Sequence, residues 1–160
     1  MKKQSILYIL VGNIGSGKTT WVKKNIKKLN AIILSRDSLR YMLGGGEYLF
    51  DVELEPFVFK AEKANLKIFL NTKRNIVIDE VGISIKSRKP YILLAKKYGY
   101  KIVAISFPIL PKKISVRRRL RNNHGNQEKK IWEIVWTRFN NRYEIPTKKE
   151  GFGKVIKIGD

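Results

Sequence analysis

A three-layer α/β sandwich around a five-stranded parallel sheet is the fold class this sequence predicts, and three observations predict it. Five short apolar runs, residues 6–11, 31–35, 75–80, 101–107 and 154–158, punctuate the chain. Most are continuous rather than alternating, as strands covered on both faces are. Segments with helical patterning separate them, and alternation of strand and helix implies a parallel sheet with helices on its two sides. The third observation is the stretch GNIGSGKTT, residues 12–20, directly after the first run. Ligands of such sheets bind beyond the carboxyl ends of the strands, which is where this stretch falls.

The elements follow in order. Residues 18–29 read as a helix leaving the glycine-rich turn. After the second strand, a helix starting at Asp37 puts Arg40 on the same side three residues on. Gly44, Gly45 and Gly46 mark a flexible loop. Over 53–72, Leu54, Phe57, Val58, Ala61, Ala64 and Ile68 share one face at helical spacing. Residues 86–98 form a helix ended by Gly99, a residue type suited to the left-handed position after a helix. Residues 115–123 and 127–143 read as two basic helices. In the second, Ile131, Ile134, Val135 and Phe139 make a core face, and Trp132, Trp136 and Tyr143 pack rather than stack on bases. No repeat or linker interrupts the chain, and its 160 residues suit one domain spanning 1–160, long enough for a core.

Composition narrows the classes of function. Thirty-four Lys and Arg stand against 13 Asp and Glu, a formal net charge of +21. Such a chain attracts polyanions, and nucleic acid is the expected partner. The competing account is a proteome rich in lysine and isoleucine. No apolar run nears the roughly 20 residues a bilayer needs, so no membrane partner is expected. The basic start MKKQS is followed by too short an apolar run for a signal peptide. With no cysteine, disulfides and thiolate metal sites are excluded, and an intracellular, cytoplasmic location is expected. Oligomeric state stays open.

The stretch from Gly12 to Thr19 fits G-x-x-x-x-G-K-[ST], with a strand before it and a helix after it. Glycines let the backbone curl until successive N–H groups point at phosphate oxygens. The helix that follows adds the positive end of its dipole. Gly12, Asn13, Ile14, Gly15, Ser16, Gly17, Lys18, Thr19 and Thr20 therefore form the nucleotide-binding stretch. Lys18 reaches the β- and γ-phosphates of ATP or another NTP, and the Thr19 hydroxyl holds Mg²⁺.

What happens to the γ-phosphate depends on the acids, which are scarce. Asp37 is the first in the chain, just past the second strand in ILSRDSLR. A carboxylate there can accept the proton of an attacking hydroxyl; it can also simply cap the helix. Arg40 can pair with it or grip a substrate phosphate. Asp79 and Glu80 end NIVIDE, where a carboxylate orders Mg²⁺ or its waters. An Asp-Glu pair also suits an ATP hydrolase whose Glu polarises water, and both acids can serve loop hydrogen bonds alone. The segment PKKISVRRRLRNNHGNQEKK holds Arg117, Arg118, Arg119 and Arg121. An arginine on a closing lid can offset charge on a transferring phosphoryl group and exclude water. His124, the only histidine, reads as a loop residue.

With these residues in hand, the sequence resembles the kinase domain of phage-type polynucleotide 5′-kinases, within the P-loop kinases. Four blocks carry the resemblance: GNIGSGKTTW, LSRDSLR, IVIDEVGISIKSRKPYILLAKKYGYKIVAISF, and an arginine-rich segment ahead of an amphipathic helix. It implies a P-loop kinase-like sandwich with a basic helical lid near residues 111–130. It implies Asp37 as general base on a 5′-hydroxyl, Arg40 on the substrate's 3′-phosphate, and Asp79 as the acid ending the third strand. Arg88, in the third block, is counted with Arg40 and Asp79 among the substrate-binding residues. The implied donor is Mg²⁺–ATP and the implied partner is a single-stranded DNA or RNA 5′ end.

The sequence departs from the family in places. Glu80 stands where an uncharged residue is usual. Matching the family's Arg-Asn pair to Arg121-Asn122 leaves Asn123 or His124 where a lid arginine is expected, so Arg117, Arg118 or Arg121 is expected to take that part. Nothing resembles the Asp-x-Asp-x-Thr motif of a fused 3′-phosphatase. Three other readings stay open: a kinase for another hydroxyl, on a modified base, nucleoside or small metabolite; a nucleic-acid-stimulated ATPase using Glu80; and a non-catalytic polyanion binder.

Overall fold

The computed structural model describes residues 4–121 and 128–159. Five strands, β1 (Ile6–Val11), β2 (Ala31–Leu34), β3 (Asn75–Ile78), β4 (Lys101–Ser106) and β5 (Lys154–Lys157), form one sheet in the order β2-β3-β1-β4-β5. Every pairing is parallel. The connecting helices are α1 (Lys18–Leu29), α2 (Arg36–Leu43), α3 (Glu55–Asn71), α4 (Ile85–Lys97), α5 (Lys112–Arg121) and α6 (Lys129–Asn141).

Alternate residues of β1 feed the two sides of the sheet. Leu7, Ile9 and Val11 pack with Leu66 and Leu70 of α3 and Ile92 and Ala95 of α4. Tyr8 and Leu10 pack on the opposite side with Val22 of α1 and Phe107. Double burial explains why β1, β3 and β4 read as unbroken apolar runs. A third, smaller cluster joins Ile14 of the glycine-rich turn to Val116 of α5 and Trp132 of α6. The three-layer sandwich read from the sequence is thus the fold that forms.

Several local expectations need correction. Of the apolar stripe assigned to α3, Val58 is buried but most of the rest faces away from the core. Phe57 and Ile68 are 62% and 60% exposed, and Ala61 and Ala64 are exposed as well. The buried face is Val58, Glu62, Leu66 and Leu70. A buried glutamate on that face pulled the apolar count onto the wrong side of the helix. In α6, Ile131 and Ile134 are exposed, while Trp132 is buried and Val135, Trp136 and Phe139 pack beside it. The segment 44–46 is a hydrogen-bonded turn: the Gly44 and Gly46 amides donate to the carbonyls of Arg40 and Tyr41. Gly45 and Gly46 take φ of 64° and 103°, which other residues rarely adopt. Gly99 follows α4 at φ 78°, as expected of a residue that ends a helix. His124 and part of the expected lid segment fall outside the described residues.

Candidate active site

The carboxyl ends of β1, β2 and β3 lie side by side, and each passes into a segment that carries chemistry. After β1 the backbone curls through Gly15 (φ 65°) and Gly17 (φ 98°) before α1 begins at Lys18. No side chain caps that helix and no acid stands in its first turn, so its amides and dipole are left to an anion. The Lys18 ammonium is buried and donates to the carbonyls of Gly12 (2.8 Å) and Asn13 (2.7 Å) and to Ser16 Oγ (3.3 Å). Burial lowers its pKa to about 8, against the opposing pull of Asp79.

Thr19 Oγ1 donates to Asp79 Oδ2 at 3.1 Å, bringing together the two residues expected at the metal. Burial raises the Asp79 pKa, with Lys18 and the Thr19 hydroxyl acting the other way. A hydroxyl beside a carboxylate suits Mg²⁺, which takes few protein oxygens and completes its octahedron with phosphates and water. Among the described residues no cluster of three or more acids, histidines or cysteines offers a fuller cage.

After β2, Ser35 caps α2 by accepting from the Ser38 amide at 3.4 Å, which frees Asp37 from the capping alternative. Polar groups meet both oxygens of Asp37. Arg40 Nη1 donates to Oδ1 at 2.7 Å, Tyr48 Oη donates to the same oxygen at 3.2 Å, and Arg119 Nη2 lies 3.5 Å from Oδ2. Its side chain keeps 34% of its exposure. Burial, with Asp37 alongside, pushes the Tyr48 phenol up to about 12, so it stays a donor.

Arg40, expected on a substrate phosphate, is committed elsewhere. Nε and Nη2 form a fork on Glu55 at 2.8 and 2.6 Å while Nη1 holds Asp37. It is a strut between α3 and the carboxylate. Arg88 is also not where a substrate would meet it. It is fully buried, paired with Glu150 at 2.8 Å and donating to the carbonyls of Gly82 and Glu144. It ties α4 to the chain that leads into β5.

Of the lid arginines, Arg117, Arg118 and Arg121 are exposed. Arg118 donates to the Gly15 carbonyl at 3.3 Å. The one that enters the crevice is Arg119, whose guanidinium lies 4.5 Å from the centre of the Trp132 ring. Sequence reasoning did not select it, because choosing among clustered arginines requires the phase of α5 against the crevice. Trp132 is the only hint, as an aromatic platform for a cation. Tyr48, between α2 and α3, and Glu55, the first residue of α3, were missed too, since no motif flags either.

Glu80 is not poised over water. Its Oε1 accepts the Arg36 amide at 2.6 Å and its Oε2 accepts Arg36 Nη2 at 2.7 Å. Both oxygens therefore clamp the first residue of α2, next to Asp37. Asn13 and Ile14 serve the glycine-rich turn from outside. Asn13 Nδ2 donates to the Trp136 carbonyl at 3.0 Å, and Ile14 sits in the α5–α6 cluster. A Cβ on Gly15 would come within 2.4 Å of the Ser115 carbonyl, so only glycine lets the turn lie against α5.

The fold and this constellation define a P-loop phosphotransferase of the kinase type. A family model described as an AAA domain matches residues 7–146, and the chain belongs to that family. It is 26% identical over 152 residues to the bifunctional polynucleotide phosphatase/kinase of Schizosaccharomyces pombe, covering 95% of this chain and 33% of that protein. The chain thus spans about a third of that curated relative. A chain in the structure of a Pnkp1/Rnl/Hen1 complex aligns with a TM-score of 0.60 and 26% identity, over 80% of this chain and 42% of that one. Chaetomium thermophilum Kti12 in complex with ADP-AlF3 aligns with a TM-score of 0.70 and 17% identity, over 96% and 88%, a likeness of fold alone. Among the described residues no helix is long and apolar enough to cross a membrane.

Proposed function

We propose that this chain is a polynucleotide 5′-hydroxyl kinase, moving the γ-phosphate of ATP to the 5′-OH end of a DNA or RNA strand. The observation that carries the proposal is the placement of Asp37 at the carboxyl end of β2, held by Arg40 and facing Arg119. The helix that carries Arg119 lies against the donor loop at Gly15, and Arg119 reaches Asp37 at 3.5 Å, so base, lid arginine and donor loop share one crevice. The 26% likeness to a polynucleotide phosphatase/kinase supports this choice of acceptor.

In this reading the turn from Gly12 to Thr19 grips the phosphates, and Lys18 exchanges its partners within the turn for the β- and γ-phosphates. Thr19 and Asp79 supply the oxygens for Mg²⁺, whose charge, when bound, offsets that of the phosphates. The 5′ oxygen forms a bond to the γ-phosphorus as the bond to ADP breaks, and its proton passes to Asp37. The transition state of such transfers is loose, so the proton leaves late and positioning outweighs base strength. Arg40 and Tyr48 fix the carboxylate, and Arg119 meets the charge on the transferring oxygens. Because Glu80 is consumed by Arg36, the same geometry speaks against a hydrolase that uses it.

The test is label transfer. γ-Labelled ATP, Mg²⁺ and the full chain are mixed with strands ending in 5′-hydroxyl or 5′-phosphate. We expect label on 5′-hydroxyl ends only. Label on small hydroxyl acceptors alone, free phosphate alone, or binding without turnover overturns the proposal in favour of another acceptor, an ATPase or a passive binder.

A further inference from the structure

We infer that Phe50 is a stacking platform for the terminal base of the acceptor strand. The inference rests on the function proposed above and names which part of the strand this chain reads. Between α2 and α3 the chain presents apolar side chains to solvent: Leu49, Phe50 and Val52 are 37%, 49% and 75% exposed. Isolated exposed apolar residues need no explanation, but a contiguous run beside a reactive crevice does. Phe50 is joined to that crevice through one group. The Arg40 guanidinium lies 5.8 Å from its ring centre and 2.7 Å from Asp37 Oδ1. Tyr48, two residues earlier, donates to the same carboxylate oxygen.

Electrostatics select the kind of ligand. Glu47, Asp51 and Glu53 flank the ring in sequence, in a chain otherwise strongly basic. The nearest arginine is forked onto Glu55 and Asp37. A segment carrying three carboxylates around Phe50 in sequence repels phosphate, which favours the uncharged base over the strand's backbone as the group this rim takes. A nucleoside carries its 5′ oxygen and its base on one sugar. With the hydroxyl at Asp37, Phe50 lies one guanidinium away, within the reach of the base of the same nucleotide. Base–aromatic stacking is indifferent to base identity, so the platform holds an end without reading its sequence.

A double cycle tests this with the full chain. Phe50→Ala and Phe50→Trp are compared with the unaltered chain on 5′-hydroxyl strands whose first nucleotide is intact or abasic. We expect Phe50→Ala to lower kcat/KM on the intact strand by about 5- to 150-fold, the range such stacking commands. The loss should vanish on the abasic strand, persist as salt is raised, and be avoided by Phe50→Trp. Equal losses on both strands, or none, overturn the inference. So does a concentration-dependent dimer that Phe50→Ala dissolves, which would make the ring a contact between copies. Strand binding by fluorescence anisotropy, with a non-hydrolysable ATP analogue present, runs the same cycle without turnover. Absence of label transfer by the unaltered chain therefore sinks the proposed function, while the binding cycle still decides the role of Phe50.

Discussion

The two banks of the crevice are built from different materials. The donor bank is backbone: a curled turn after β1, two glycines at positive φ, and the open end of α1. The acceptor bank is side chains: Asp37 held by Arg40, Arg40 by Glu55, and Arg36 by Glu80. Phosphates look alike whichever base they carry, so a grip on them can be generic. In the proposed reaction a hydroxyl must be aimed, and the aim would depend on ion pairs that join α2 to α3 and to the end of β3. The comparison predicts that damage on one side reaches both binding and transfer, while damage on the other reaches transfer alone.

The sharpest test of that division is Asp37→Asn. We expect transfer to fall by about 10²- to 10⁴-fold, the usual worth of a general base, with ATP affinity within a few-fold of the original by calorimetry. Normal transfer by this variant would remove Asp37 from the chemistry. Arg119→Ala comes next, with transfer down by about 10²- to 10³-fold, the scale of one lost donor to developing charge. Single-turnover kinetics should place that loss in the phosphoryl step. Glu55→Gln leaves Arg40 with a weaker fork and should cost transfer roughly 10-fold, without touching the ATP dissociation constant. Glu80→Gln should cost a few-fold in transfer and leave free-phosphate release unchanged. A collapse of phosphate release would restore the hydrolase reading.

The smallest effect lies on the donor bank and is read with pH. Lys18 has its pKa lowered from 10.5 to about 8 by burial. Between those values the unfolded chain holds more protons at this position than the folded one. The lysine's contribution to stability therefore rises with pH across that window, and its penalty is fully present below about 8. Bound phosphates favour the ammonium. ATP binding near pH 8 should thus take up a fraction of a proton, seen as a dependence of binding heat on buffer ionisation enthalpy. No such dependence would mean that Lys18 is already fully protonated before ATP arrives.

Legibility in the sequence follows the same division. The donor bank is local: its glycines, lysine and threonine sit within nine residues, and each has one physical use there. The central strands were legible for a related reason, since burial on both faces leaves unbroken apolar runs. The acceptor bank was legible only at Asp37 and Arg40, three residues apart. Glu55 lies 15 residues beyond Arg40, and nothing local says that the two meet. For Glu80 a water-activating role stood open beside loop hydrogen bonds, because an Asp-Glu pair at a strand end suits either; the turn after β3 aims it at the backbone amide of Arg36 on the neighbouring segment. Arg119 was lost among its neighbours for want of a helix phase. Glu62 misled the reading of α3, because its burial is made tolerable by the Tyr91 hydroxyl and Arg36, partners no periodicity reveals.

Ile14 shares its cluster with Val116 and Trp132, and Gly15 lies against Ser115. The arginine-bearing helix is therefore no independent flap. Any swing that carries its guanidinium toward the nucleotide must drag the phosphate cradle along, so a rearranged cradle and a displaced arginine should be registered together, as one rigid piece.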